Sequence, residues 1–227
     1  MKNLFKNAGF VMLLGTLLFT VASCSKDDTA ANNGNDNGNI NIAALQAQIT
    51  SLPKEPLSSA ELTSLSFMRE EEKLARDVYI TLYNKWRVNI FTNISASEQT
   101  HMESVLLLLN KYNLADPVGT NAVGVFNNPV LQNLYTQLVA QGSTSILEAY
   151  RVGATIEDLD IFDLKNALVT IDNQDIRLVY DNLTKGSRNH MRSFYKNILN
   201  VGGTYIPQYI TQAEFDAIIN SAMETGF

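Results

Sequence analysis

Apolar side chains recur at steps of three and four through most of this chain and nowhere alternate for long with period two, so the pattern predicts helices and no sheet. Ile42, Leu45, Ile49 and Leu52 keep that spacing until Pro53 and Pro56 stop it, which predicts a short accessory helix within residues 42–56. Neither Gly nor Pro occurs from Leu57 to Phe91, and Ser58 with Glu61 has capping-box spacing, so a first long helix is expected over roughly 59–84. Ser95 with Glu98 repeats the signature ahead of a second helix reaching about Tyr112. A Gly/Asn/Pro-rich connection over 113–128 leads to a short helical stretch near Pro129 to Gln141. Ser145 with Glu148 then opens a third long helix to about Ile171, and Asp172 and Asn173 cap a fourth that runs to Leu199 and ends at Gly202 and Gly203. The expected architecture is an all-α four-helix bundle over 57–203: two helical hairpins, a long crossover between the second and third helices, and short accessory helices. Residues 204–227, with a helix from about Gln212, are expected to cap an exposed apolar end.

Each of the four seams that should be apolar carries a polar interruption. The first runs Leu65, Met68, Glu72, Ala75, Tyr79 and Leu82, and the second Ile94, Glu98, His101, Val105, Leu108 and Tyr112. The third passes from Ile146 through Tyr150, Gly153 and Glu157 to Ile161, Leu164 and Leu168, with Asp160 on a neighbouring edge. The fourth is Ile176, Tyr180, Leu183, Ser187, His190 and Phe194. Buried ionised carboxylates without partners are strongly destabilising. Lys73, Arg76, Arg188 and Arg192 fall off the seams, so a central cation is the less costly way to neutralise them. The helical rise lets the levels meet: Glu72 lies about 16 Å before the end of its helix, Glu157 roughly 21 Å before the turn at Asp172, and Ser187 and His190 about 21 and 25 Å after it.

Blander readings stand beside this one. Glu98 fits as the third helical residue of a capping box opened by Ser95, a core His fits as a hydrogen-bonded structural residue, and Glu70, Glu71 and Glu72 fit a solvated charge run. Against them stands a coincidence. The chain has two His, and both fall on seams at the height of the seam carboxylates.

Composition bounds the rest. With 227 residues, 45% hydrophobic and 18% charged, the chain is of a size for one domain plus tails. The net charge of −6 and the lack of a basic patch exclude a nucleic-acid partner. One Cys excludes an intramolecular disulfide and any thiolate cluster. Lys2 and Lys6, the apolar run from about Gly9 to Ala22, and small residues up to Ser23 describe a secretory signal over 1–23. The Val21-Ala22-Ser23-Cys24 ending resembles a bacterial lipobox, which would make Cys24 the lipid-carrying first mature residue; an ordinary signal peptide with an incidental Cys is the alternative. The Ser25-Lys26-Asp27-Asp28 run resembles the surface-export signal of Bacteroidetes-type lipoproteins. The expected location is the cell envelope: lipid-anchored to the outer membrane and surface-exposed. Residues 24–41, rich in Asn, Gly and Asp, read as a flexible tether.

The run Glu72-Lys-Leu-Ala-Arg-Asp-Val-Tyr79 resembles the first-helix signature of rubrerythrins, and Glu98-Gln-Thr-His101 the Glu-x-x-His of the ferritin-like superfamily. Together with Ile156-Glu-Asp-Leu-Asp-Ile161 and Ser187-Arg-Asn-His-Met191, these motifs resemble a bacterial and archaeal branch known only as a domain of unknown function, over roughly residues 60–200. The resemblance implies a ferritin-like fold with a dinuclear metal centre whose ligand positions are Glu72, Glu98, His101, Glu157 and His190. Asp160 matches an additional third-helix carboxylate of rubrerythrins. Ser187 departs from the pattern, since related sites have Glu three residues before the last His. Asp160 compensating, a weakly held second metal and a mononuclear site all remain open. The rubredoxin-like Cys module is absent, so there is no built-in electron relay. The expected cofactor is iron, with Mn or Zn as alternatives, and the expected activity is an oxidoreductase acting on peroxide or dioxygen, with Tyr79 or Tyr195 as a nearby donor. The alternative is a non-catalytic, surface-anchored binding domain with a structural or vestigial metal site. A protein partner or a homodimer is open to either.

Overall fold

The computed structural model describes residues 38–225. The signal peptide of 1–23, the lipid on Cys24 and most of the tether lie outside the described residues. Seven helices follow: α1 Ile42–Ser51, α2 Ser59–Trp86, α3 Asn89–Tyr112, α4 Pro129–Gly142, α5 Ile146–Ala167, α6 Gln174–Asn200 and α7 Gln212–Ile219, with no strand among the described residues. The fold is all-α. None of these helices is long and apolar enough to cross a membrane.

The four long helices pack as two hairpins, α2 on α3 and α5 on α6, joined side by side through α2 on α5 and α3 on α6. The α4 helix, part of the crossover, covers α2 and α5, while α1 lies on α3 and α6, and α7 on α6. Two apolar clusters result. One gathers Leu74, Val78, Leu82, Phe91, Ile94, Ile156, Met191 and Phe194, and the other Leu65, Met68, Val105, Leu108, Leu164, Ile176 and Leu183. In α2, α3 and α6 the residues between the two clusters are those that carry Glu72, Glu98, His101 and His190, so a polar layer separates two oily halves.

The α3 helix begins six residues before Ser95. Arg87, in the left-handed region at φ 55°, closes α2, and Val88 starts α3 without a side-chain cap. Burial of Phe91 and Ile94 holds this first turn, and Ser95 donates instead to the Thr92 carbonyl inside the helix. Glu98 is therefore a mid-helix residue, and the capping-box reading of it fails.

Elsewhere, acids of α2 cap neighbouring helices. Glu61 completes the box with Ser58 through Oε2, while its Oε1 accepts from the backbone amides of Asp172 and Asn173 at the start of α6. Burial raises the Glu61 carboxyl, but the amides of Ser58 and Asn173 and the Ser58 hydroxyl outweigh it and hold the group below its ordinary 4.5. Such a shift adds stability that is complete above the ordinary value and fades as pH falls through the lowered one. Glu61→Ala is expected to cost about 2 kcal/mol in urea unfolding at neutral pH, from charge-assisted hydrogen bonds to two helix starts. In strongly acidic solution the two proteins should converge.

The crossover and the C-terminus are pinned by buried charge. Arg69 holds Asp116 through two nitrogens, each at 3.0 Å, and Lys73 binds Asp77 and the Ala122 carbonyl. Asp158 accepts from the Tyr205 hydroxyl and from the amides of Gln208, Tyr209 and Ile210. Arg188 and Arg192 engage Glu224. The basic residues near the core are thus committed away from the central carboxylates.

Candidate metal centre

Three successive acids on α2 point in three directions, because consecutive helical positions turn by about 100°. Glu70 accepts from the amides of Asn127 and Asn128 at the start of α4. Glu71 faces Asp163 on α5, and Glu72 faces the bundle centre. All three are buried, so the blander reading of them as a solvated charge run fails. With α3, α4 and α5 packed around it, α2 has no solvated face at that level.

At the centre, His101 Nδ1 lies 2.8 Å from Glu98 Oε2 and 3.1 Å from Glu72 Oε2. His190 Nδ1 lies 2.9 Å from Glu98 Oε1 and 3.3 Å from Glu157 Oε2. Two triads result, Glu72–Glu98–His101 and Glu98–Glu157–His190. In each, one ligand atom from every residue lies within 4.8 Å of the others. Glu98 belongs to both and offers one oxygen to each. The imidazole rings stack with centroids 5.4 Å apart. Four helices supply these five side chains, one each from α2, α5 and α6 and an i, i+3 pair from α3.

Both imidazoles turn Nδ1 inward, and each outer nitrogen is tied. His101 Nε2 donates to the Gly38 carbonyl at 2.9 Å, and His190 Nε2 lies 3.0 Å from the Ser97 hydroxyl. Gly38 sits at φ +81° with its backbone pressed on the rings, where a Cβ would come within 2.5 Å of His190 Nε2. A Cβ on Gly186 would likewise reach 2.5 Å from His101 Nε2. Such outer hydrogen bonds set ring orientation and ligand basicity in metal sites.

The donor set fits a divalent cation. Glu98 is within 3 Å of both imidazole nitrogens, yet neither of its oxygens meets hydrogen-bond geometry. Glu72 Oε1, Glu157 Oε2 and both oxygens of Asp160 are also buried without a hydrogen-bond partner. Burial pushes Glu72 up to about 7, against the pull of His101, and raises Glu157 against the pull of His190. Asp160 is driven well above its ordinary value by burial and then by Glu71 and Glu157. Burial opposes charge on the imidazoles, but Glu98 and Glu72 hold His101 well above 6.5, and Glu98 with Glu157 lifts His190 to about 10. Burial raises Glu98 too, but the two imidazoles outweigh it and hold its carboxyl down. Mixed carboxylate and imidazole donors of this kind suit Fe, Mn or Zn.

Of the residues singled out from the sequence, Glu72, Glu98, His101, Glu157 and His190 meet at one level. Asp160 is buried beside them but belongs to neither triad. Ser187 spends its hydroxyl on the Leu183 carbonyl of its own helix. Tyr79 donates to Glu157 Oε1 and lies next to the centre, whereas Tyr195 packs edge-on against Phe215 and is not part of it. Gly38, Ser97 and Glu71 escaped the sequence reading. Ser97 precedes a seam carboxylate by one residue and gives no periodic signal, and Gly38 lies in a stretch that reads as tether.

A family model described as an uncharacterized protein domain, DUF2202, matches residues 61–222. The uncharacterized protein MJ0754 of Methanocaldococcus jannaschii is 56% identical over 178 residues, which is 78% of this chain and 96% of that protein. The crystal structure titled hypothetical protein MJ0754 from Methanococcus jannaschii DSM 2661 matches with a TM-score of 0.75 over 76% of this chain and 99% of that one.

Proposed function

The chain belongs to the uncharacterized protein domain family DUF2202, and we propose that its core is a ferritin-like dinuclear metal centre that reacts with peroxide or dioxygen at the cell envelope. The sharing of Glu98 between two carboxylate–imidazole triads carries this reading. Glu72 and His101 would hold one ion and Glu157 and His190 the other, with Glu98 bridging. Iron is the expected metal, with manganese the next choice. A redox metal held by these residues would supply Lewis acidity and electrons to an oxidant. The chain's own part is to orient the imidazoles through Gly38 and Ser97, to exclude water with the apolar clusters on either side, and to hold the protonated Tyr79 hydroxyl as a hydrogen-bond donor to Glu157 Oε1. Burial, followed by Glu157 and Glu98, drives the Tyr79 hydroxyl far above its ordinary value, so it acts as a donor and not as an anion. The Cys24 lipid anchor and the surface location on the outer membrane remain part of this proposal.

The test is metal analysis of the purified protein after anaerobic loading with Fe²⁺, with optical spectra before and after one equivalent of peroxide. The expected result is about two ions per chain, matching the two triads, and a spectral change on oxidation. Absence of bound transition metal rejects the reading. Ser187, which brings no carboxylate from α6, favours one alternative, a metal held for stability in a binding domain. Metal that raises the melting temperature without any peroxide turnover would select that alternative.

A further inference from the structure

A second set of acids leads outward from the centre. Glu157, Asp160 and Asp163 follow one another along α5 at three-residue steps, each turned by about 60° from the last, so the row winds from the bundle axis toward the edge over roughly 9 Å. Burial follows the winding, since Glu157 and Asp160 are buried and Asp163 is only half-buried. Asp163 lines a surface depression of about 420 Å³ together with Phe67, Leu131, Leu159 and Tyr209. Between this mouth and the centre stands Glu71 of α2, fully buried, facing Asp163 on one side and feeling Glu72 on the other. Asp160 feels Glu71, Glu157, Glu72 and Glu98.

No basic side chain or backbone amide serves these groups. Both oxygens of Asp160 are buried without a hydrogen-bond partner, and the buried Glu71 meets Asp163 carboxyl against carboxyl, a pair that holds together only with a proton or a cation between its oxygens. Nearby cations are spent elsewhere, Lys73 on Asp77 and Arg69 on Asp116. Neither Glu71 nor Asp163 belongs to a triad, so holding the two central ions does not explain them. Unpaired buried carboxylates destabilise a fold unless a cation or a proton visits them. A row of oxygen donors from solvent to the centre suits a divalent ion that exchanges its water for carboxylates step by step.

From this juxtaposition we infer that Asp163, Glu71 and Asp160 form the loading route by which a divalent transition-metal ion passes from the depression between α2, α4 and α5 to the two triads. The inference rests on the dinuclear reading above. Asp163 captures the hydrated ion at the mouth, Glu71 takes it through the wall of the bundle, and Asp160 hands it to Glu72 or Glu157. Because the captured ion is positive and Asp163 is the charged residue of an otherwise neutral lining, capture is electrostatically steered by that carboxylate and weakens with added salt.

The experiment follows Co²⁺ binding to the metal-free full chain by its visible absorption, in rapid mixing, for the wild type and for Asp163→Asn, Asp163→Lys and Glu71→Gln. The expected result is unchanged final occupancy in both Asp163 variants. Loading should slow by roughly tenfold in Asp163→Asn, with loss of the salt dependence, and more in Asp163→Lys, with the salt dependence reversed. Glu71→Gln should slow loading independently of salt; Asp163 variants, altered only at the half-buried mouth, keep the question answerable if Glu71→Gln does not fold. Equal loading rates in the wild type and the Asp163 variants overturn the route while leaving the centre intact. Loss of final occupancy in the Asp163 variants also overturns it, since Asp163 would then hold metal and not pass it on. A wild type that binds no Co²⁺ overturns both the route and the dinuclear reading.

Discussion

Glu98→Ala is expected to abolish metal binding at both positions, whereas Glu72→Ala or Glu157→Ala should each remove one ion. The difference follows from geometry: Glu98 sends Oε1 to the His190 side and Oε2 to the His101 side, while Glu72 and Glu157 each serve one triad. Loss of an outer hydrogen bond to a metal ligand typically weakens binding by about 10–100-fold, and loss of the shared ligand itself should exceed that for each ion. Ligand that binds only the folded state at 100 times its dissociation constant stabilises it by about 2.7 kcal/mol. The wild type should therefore melt at higher temperature with Fe²⁺ or Mn²⁺ under anaerobic conditions, and Glu98→Ala should show no such response. Metal content per chain and thermal melts on the same samples check both statements. A variant that still binds two ions would remove Glu98 from the bridging role.

Asp77→Ala should be the most damaging single change outside the centre. Asp77 is fully buried and accepts from Lys73, from Arg76 at 2.8 and 3.0 Å and from the Gly124 amide at 2.9 Å. Removing it strands the fully buried Lys73 ammonium, which keeps only the Ala122 carbonyl and the face of Phe126. Breaking a buried pair on one side costs about 3–5 kcal/mol, most of it from the charge left behind. Replacing Lys73 by Met in the same chain should restore much of the loss, because the residual charge is gone. Urea unfolding of the two single variants and the double variant measures this. A double variant as unstable as Asp77→Ala would show that the hydrogen bonds to the crossover, and not the stranded ammonium, set the cost.

Much of this was legible in the sequence because helical periodicity survives where seams are apolar. The starts of α2 and α5 follow from Ser58 and Ser145, whose side chains cap them, and α7 begins at Gln212 as the pattern suggests; Asn173 stands at the start of α6 without a side-chain cap bond, and α5 ends at Ala167, short of Ile171. The start of α3 was not legible. Packing of Phe91 and Ile94 overrides capping there, and Ser95, an acceptable cap by type, sits a turn and a half inside the helix. The five residues of the two triads were legible as polar breaks in apolar seams. Glu70 and Glu71 were not, because a run of three acids looks solvated until α4 and the crossover are known to close over it. Gly38 could not be read at all, since what matters there is a backbone carbonyl and no side-chain pattern announces one.

That carbonyl carries a practical consequence. The Gly38 oxygen holds His101 Nε2, and the Ile40 amide two residues later is fastened to the Thr100 hydroxyl on α3 at 3.0 Å. A protein shortened to begin at α1 would keep every helix and both triads, and its far-ultraviolet spectrum would look native. It would lack the peptide that fixes one imidazole, with water free to reach His101 from that side. Measurements of metal affinity on such a shortened chain would describe a different coordination environment from that of the full-length protein.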